Sequence, residues 1–175
     1  MPDHQHDITC VPFTRRRLYF ALTVPFLLVL LVVLVYLATV NVLLALLFMA
    51  CYLLACWFQA YCCAYQECPY VGGFCPAIAG IWLANPMARI VQRAGLVPRS
   101  QRAFGAYALL AFASWCGLAI FPVPWLTRLS GWLAGGYVLL HIVYAMIFFL
   151  TVCPGCAIRD TCPGGGVHKM LRRAR

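Results

Sequence analysis

Acidic side chains are scarce in this chain: Asp3, Asp7, Glu67 and Asp160 are the only four in 175 residues, and charged residues of both signs reach only 10%. Soluble domains carry roughly 25% charge, so a water-exposed globule is excluded. Recognisable catalytic patterns are also missing. There is no glycine fingerprint of a nucleotide site, no Ser/His/Asp arrangement and no Glu-bearing zinc protease motif, and Gly164-Gly165-Gly166 lacks the Lys-Ser or Lys-Thr of a phosphate-binding loop. A non-enzyme is therefore expected. The first apolar run leads straight into another with no small-residue cleavage site behind a short core, so no cleaved signal peptide is expected.

Apolar residues are what the chain has instead, at 65% of the sequence and a mean hydropathy of +0.88. Leu18 to Ala64 contains no Asp, Glu, Lys or Arg, about twice the roughly 20 residues that one membrane-spanning helix needs. Two spans are predicted there, at 18–38 and 42–61, with a very short turn at Asn41. Phe104 to Phe121 gives a third, stopped by Pro122-Val123-Pro124, and Trp132 to Val152 a fourth. The fold class expected is an all-α membrane protein of four transmembrane helices with a Cys-rich cap and a short interfacial helix. Its segments are a tail at 1–17, a hairpin at 18–64, a Cys-rich loop at 65–103, a second hairpin at 104–152 and a Cys-rich basic tail at 153–175.

Basic residues are distributed unequally among those segments. Arg15, Arg16 and Arg17, then Arg89, Arg93, Arg99 and Arg102, then Arg159, Lys169, Arg172, Arg173 and Arg175 all fall on one side, and only Arg128 falls on the other. The positive-inside bias then puts both termini and the long loop in the cytoplasm of a cell whose inner membrane holds the protein. The net charge of +9 reads as topology and attraction to anionic headgroups, about 1 kcal/mol for each basic residue near the surface, rather than as a nucleic-acid site. Expected partners are the bilayer itself and further membrane subunits or a second copy. Because pumps and ion-coupled transporters place carboxylates or bases at mid-membrane, and His141 is the one such group here, proton-coupled transport is disfavoured.

Asn85-Pro86 predicts a helix start, with Asn85 as cap, and Gly95 a stop. Met87, Ile90, Val91 and Ala94 fall at helical spacing opposite Arg89 and Arg93, the pattern of a basic helix lying at the headgroups. Its alternative is a helix docked on a partner. Ala77 to Ala84 is apolar but too short to span. Gly135-Gly136 on the fourth span and Ala106, Ala113 and Gly117 on the third predict close packing of those two helices.

Cysteine is the other excess. Eleven are present, and eight lie in or beside the basic segments. In a reducing cytoplasm such a cluster points to metal or redox work before structural disulfides. The candidate metal ligands are Cys63, Cys68, Cys75, Cys153, Cys156 and Cys162. Cys63 to Pro69 can be laid against Cys156 to Pro163 with one residue inserted, a weak internal repeat of hairpin plus Cys-rich tail. A tetrahedral ion needs four soft ligands, and the two tails emerge on one face. Cys153-Pro154-Gly155-Cys156 resembles the knuckle of rubredoxins and zinc ribbons, with Ala157 where those have Gly. That resemblance implies Zn or Fe on Cys153 and Cys156, joined by Cys68 and Cys75 or by Cys63 and Cys162. With four spans and Cys-Pro pairs the chain is also similar to membrane polyferredoxin subunits, which implies an iron–sulfur cluster as the alternative to zinc. A dithiol redox pair is the less favoured use of Cys153 and Cys156, because the negative end of the preceding helix opposes a thiolate there.

Cys51, Cys56 and Cys116 lie inside spans and read as small packing residues. Cys56 and Cys63 are nonetheless seven apart on one helix face, a row of soft ligands for an ion such as Cu(I) or Hg(II). His141 is expected to hydrogen-bond a neighbouring helix rather than to ligate haem. A start at Pro2-Asp3-His4, with His6, Asp7 and Cys10 nearby, has the ligand types of a square-planar Cu(II) or Ni(II) site, but reads as incidental. Three functions remain open: a structural or accessory subunit capped by cysteine-bound zinc, an iron–sulfur electron-transfer subunit, and a handler of thiophilic metal ions.

Overall fold

Asn41 is the hinge from which the architecture follows. Its backbone is extended at φ −165°, its N–H closes the first helix on Leu37 O, and its Oδ1 accepts from Leu43 N at 2.8 Å to open the second. One residue thus supplies both a stop and an N-cap. In the computed structural model, which describes residues 15–66, 68, 70, 71, 74, 78, 83–97, 100–156 and 166, this hairpin is α1 (Arg16–Val40) and α2 (Val42–Tyr65). α3 (Ala84–Arg93), α4 (Gln101–Ile120), α5 (Val123–Leu129) and α6 (Gly131–Thr151) follow, and Cys153–Gly155 forms a closing 3-10 turn.

Among the described residues the fold is all-helical, and four helices are long and apolar enough to cross a membrane. Ser100 and Ser130 cap α4 and α6 through bonds to Ala103 N and Trp132 N, both 3.2 Å. The proline-bracketed segment after α4, expected to be a loop, is the two-turn helix α5, since Pro122 and Pro124 sit where no N–H is needed. Large apolar side chains cover the outside, with Leu28, Val32, Leu109, Phe112 and Trp132 exposed. In a bilayer that surface meets lipid.

The core lies along a narrow seam. α1 buries Tyr19, Thr23, Phe26, Leu30, Val33 and Leu37, alternating steps of four and three, and α6 answers with Ala134, Tyr137, His141, Tyr144 and Phe148. That period of 3.5 is the left-handed packing of coiled coils and membrane bundles. Phe26 stacks on Tyr144 at 4.1 Å, and Thr23 Oγ1 and Tyr144 Oη share a buried hydrogen bond of 3.1 Å. Tyr137 Oη donates to Leu118 O on α4 at 2.7 Å, and Tyr36 Oη donates to Trp125 O on α5 at 3.0 Å.

Helix pairing differs from the sequence expectation. α4 packs chiefly on α2, through Tyr61–Tyr107 stacking at 4.5 Å and Tyr65–Phe104 at 4.8 Å. Gly117 faces Cys51 Sγ of α2, 3.6 Å from where its own Cβ would stand. Ala106, Ala113, Gly135 and Gly136 are exposed, with open space beyond both glycines. The small residues of α6 therefore do not join it to α4. Large aromatic and carbonyl contacts do that instead.

α3 ends where predicted, because Gly95 at φ +64° adopts the left-handed conformation and Gly95 N and Leu96 N bond back to Gln92 O and Val91 O at 3.1 and 3.0 Å. This is the glycine-based helix stop that satisfies the last carbonyls. Its start moves upstream: Leu83 is the cap, and Asn85 and Pro86 lie in the first turn. Its inner face is Ala88 and Val91, with Met87 beside them, docked on α2. Ile90 lies on the outer side at 53% exposure, along with Arg89 and Arg93. The helix thus docks within its own chain, turned by about one position from the expected face.

Candidate cysteine site at the basic end

α2 reaches the Arg-rich end of the bundle at Tyr65, and the way it stops creates the first thiol pair. Gln66 N bonds to Cys62 O at 3.2 Å, and Cys68 N bonds across to Cys63 O at 3.1 Å. The six-residue closure folds the chain back so that the second residue past the cap meets the third-last helical residue. Here both are cysteines. Cys63 Sγ–H donates to Cys68 Sγ, and the N–H groups of Tyr70 and Val71 also point at that sulfur. Three donors favour the thiolate more than burial opposes it. The Cys63 hydrogen bond, the largest contribution, works against desolvation and holds the Cys68 thiol well below its ordinary range, down to about 7. Cys68 is 2% exposed, set in the core with Tyr70 and Val71.

The second pair lies on the 3-10 turn after α6. Gly155 N bonds to Val152 O at 3.0 Å and Cys156 N to Cys153 O at 3.1 Å, so the Cys-Pro-Gly-Cys segment forms a compact turn, half-buried against the core. Arg15 reaches this turn from 136 positions away and donates Nη1–H to Thr151 O. Arg16 stacks on Phe74, its guanidinium carbon 5.3 Å from the ring centroid, and Phe74 packs edge-on against Tyr19 at 5.2 Å. The N-terminal arginines and both Cys-bearing segments therefore share one end of the bundle.

The eight described cysteines, Cys51, Cys56, Cys62, Cys63, Cys68, Cys116, Cys153 and Cys156, are all reduced. Among the described residues no three His, Cys, Asp or Glu side chains come together as metal ligands. The pairing of Cys63 with Cys68 was not among the sequence expectations, which placed those two in separate ligand sets. Cys75 and Cys162, the remaining expected ligands, lie outside the described residues. So do His4, His6, Asp7 and Cys10, and most of 77–84 and of the repeat at 156–163.

Within the bundle, Cys56 is buried and hydrogen-bonded to Tyr52. Gln59, one turn on, has a buried Oε1 with no hydrogen-bond partner. Sequence reading passed over Gln59, although an amide three residues after Cys56 and four before Cys63 shares their helix face. His141 bonds through Nδ1 to Tyr137 O at 3.0 Å, within its own helix and not across to a neighbour as expected. Its buried Nε2 has no hydrogen-bond partner, and Phe26, Trp115 and Tyr137 surround the ring at 4.9, 5.6 and 4.5 Å. The contact of Arg15 with Thr151 has no local sequence signal.

No protein-family model matches this sequence, and neither the curated proteins nor the solved structures contain a detectable relative.

Proposed function

We propose that this four-span membrane protein binds a thiophilic metal ion at its basic end, with Cys63 and Cys68 as the two ligands. The observation that carries the reading is the thiol–thiol hydrogen bond set up by the α2 stop. Two sulfurs already in contact suit a d10 cation that accepts linear coordination, and thiolates select such soft ions over hard ones. A four-thiolate zinc or iron–sulfur centre needs more sulfurs than this pair supplies, which favours the metal-handling reading over the structural zinc cap and the electron-transfer subunit. By the positive-inside bias, the basic end faces the cytoplasm, where reduced thiols persist.

Anaerobic titration of the reduced, detergent-solubilised protein with Cu(I) against a chromophoric chelator tests this. The expected result is that Cys63→Ser and Cys68→Ser each hold one tightly bound Cu(I) fewer than wild type, whereas Cys116→Ser holds as many. Equal Cu(I) retention in all three variants overturns the assignment.

A further inference from the structure

The Cys153–Cys156 turn differs from the first pair in its charge surroundings. In a 3-10 turn, positions i and i+3 eclipse, so the two cysteines lie toward the same side of the chain. They follow the C-terminal end of α6, whose last carbonyls carry partial negative charge and disfavour thiolates. Arg15 offsets that field at its source. Its guanidinium is bonded to Thr151 O, and its stem runs over Gly155, where Cδ lies 3.3 Å from the position of an added Cβ. Gly155, between the two cysteines, is thus the residue that makes room for the arginine.

We propose that Cys153, Cys156 and Arg15 form a second soft-cation site that prefers a monovalent ion, Cu(I) or Ag(I), to divalent Hg(II). The inference rests on the metal-handling reading above and adds charge selection to it. When a monovalent ion binds two thiols, two S–H bonds are lost, two S–metal bonds form, and two protons pass to solvent. The resulting S–metal–S unit carries one negative charge. Hg(II) bound the same way gives a neutral unit. A guanidinium at this helix end stabilises the first product and not the second.

The test uses Cys63→Ser/Cys68→Ser protein, reduced and in detergent, titrated separately with Ag(I) and Hg(II) against a competing thiol. Adding Arg15→Gln is expected to weaken Ag(I) binding about twofold to fivefold, the range for an exposed charge at a helix C-terminus, and to leave Hg(II) binding unchanged. Arg15→Lys should restore most of the Ag(I) affinity, and Cys153→Ser should abolish the difference between the metals. Parallel loss of both metals in Arg15→Gln, or no change in either, overturns the proposal by showing that the arginine only props the turn. Failure of the Cys63–Cys68 reading is seen separately, in the Cu(I) titration of protein with Arg15 intact.

Discussion

Cys63→Ala is the substitution that tests the chemistry of the first pair most directly. The Cys63 hydrogen bond is the chief reason that the Cys68 thiol ionises near 7 rather than near 9. A hydrogen bond to a charged group contributes about 1.5–3 kcal/mol, and each pH unit corresponds to about 1.36 kcal/mol, so its removal should raise the Cys68 midpoint by about one to two pH units. At pH 7 the thiolate fraction would then fall from about half to between roughly one in ten and one in a hundred. Because Cys68 is buried, alkylation reports access as well as acidity. Ultraviolet thiolate absorbance, taken as the difference between wild type and Cys68→Ser across the pH range, avoids that problem. The sign for stability follows from the same values. A thiol whose folded value is depressed contributes no extra stability below about 7, gains it as pH rises, and holds it fully above the unfolded value near 9. Wild type should therefore become more heat-resistant relative to Cys68→Ser between those limits. A difference absorbance that titrates near 9 in wild type, or a midpoint unmoved by Cys63→Ala, refutes the paired-thiol geometry.

Gly95→Ala should lower stability by about 1–2 kcal/mol in thermal unfolding, entirely through the left-handed backbone, since nothing lies within 4 Å of the added Cβ. Ala88→Leu should cost about 1–3 kcal/mol by overpacking the α2–α3 contact, whereas Ile90→Leu, on the outer side of the same helix, should be close to neutral; the reverse order would mean that α3 docks by its other face. In a background lacking reactive native cysteines, a cysteine replacing Arg128 should be labelled by an impermeant reagent from outside intact cells, and one replacing Arg93 only after permeabilisation. Labelling of both, or of Arg93→Cys alone, would overturn the cytoplasmic assignment of the basic end.

The four spans were legible because length and hydropathy are sums over many residues. Several termini carry a local signal, since Asn41, Ser100, Ser130, Pro122 and Gly95 act where their chemistry requires, whereas α1 starts after Arg15 with no side-chain cap. Asn85 is displaced from its expected cap because Ala84 and Leu83 continue the turn upstream. For the candidate site, the sequence supplied the cysteines without their partners. Cys63 and Cys68 meet through a backbone closure that spacing alone does not announce, and Arg15 meets Thr151 across nearly the whole chain.

By itself, then, the amino-acid sequence determined the class of protein, the number of spans, the short α1–α2 turn and the segments that hold most of the cysteines. Which face of each helix turns inward was decided only by the tertiary structure. In water, an apolar stripe marks the core; in a bilayer, lipid is as apolar as the core, so Leu30 inside and Leu31 outside carry the same hydropathy and no sequence periodicity separates them. α6, with Tyr137, His141 and Tyr144, and the start of α1, with Tyr19 and Thr23, betray their inner sides, because these residues have polar atoms that hydrocarbon cannot satisfy. Close packing of shapes settled the rest: α4 chose α2 through stacked tyrosines, the glycines of α6 were left facing outward, and Arg15 and Arg16 were brought onto the turn after α6 and onto Phe74.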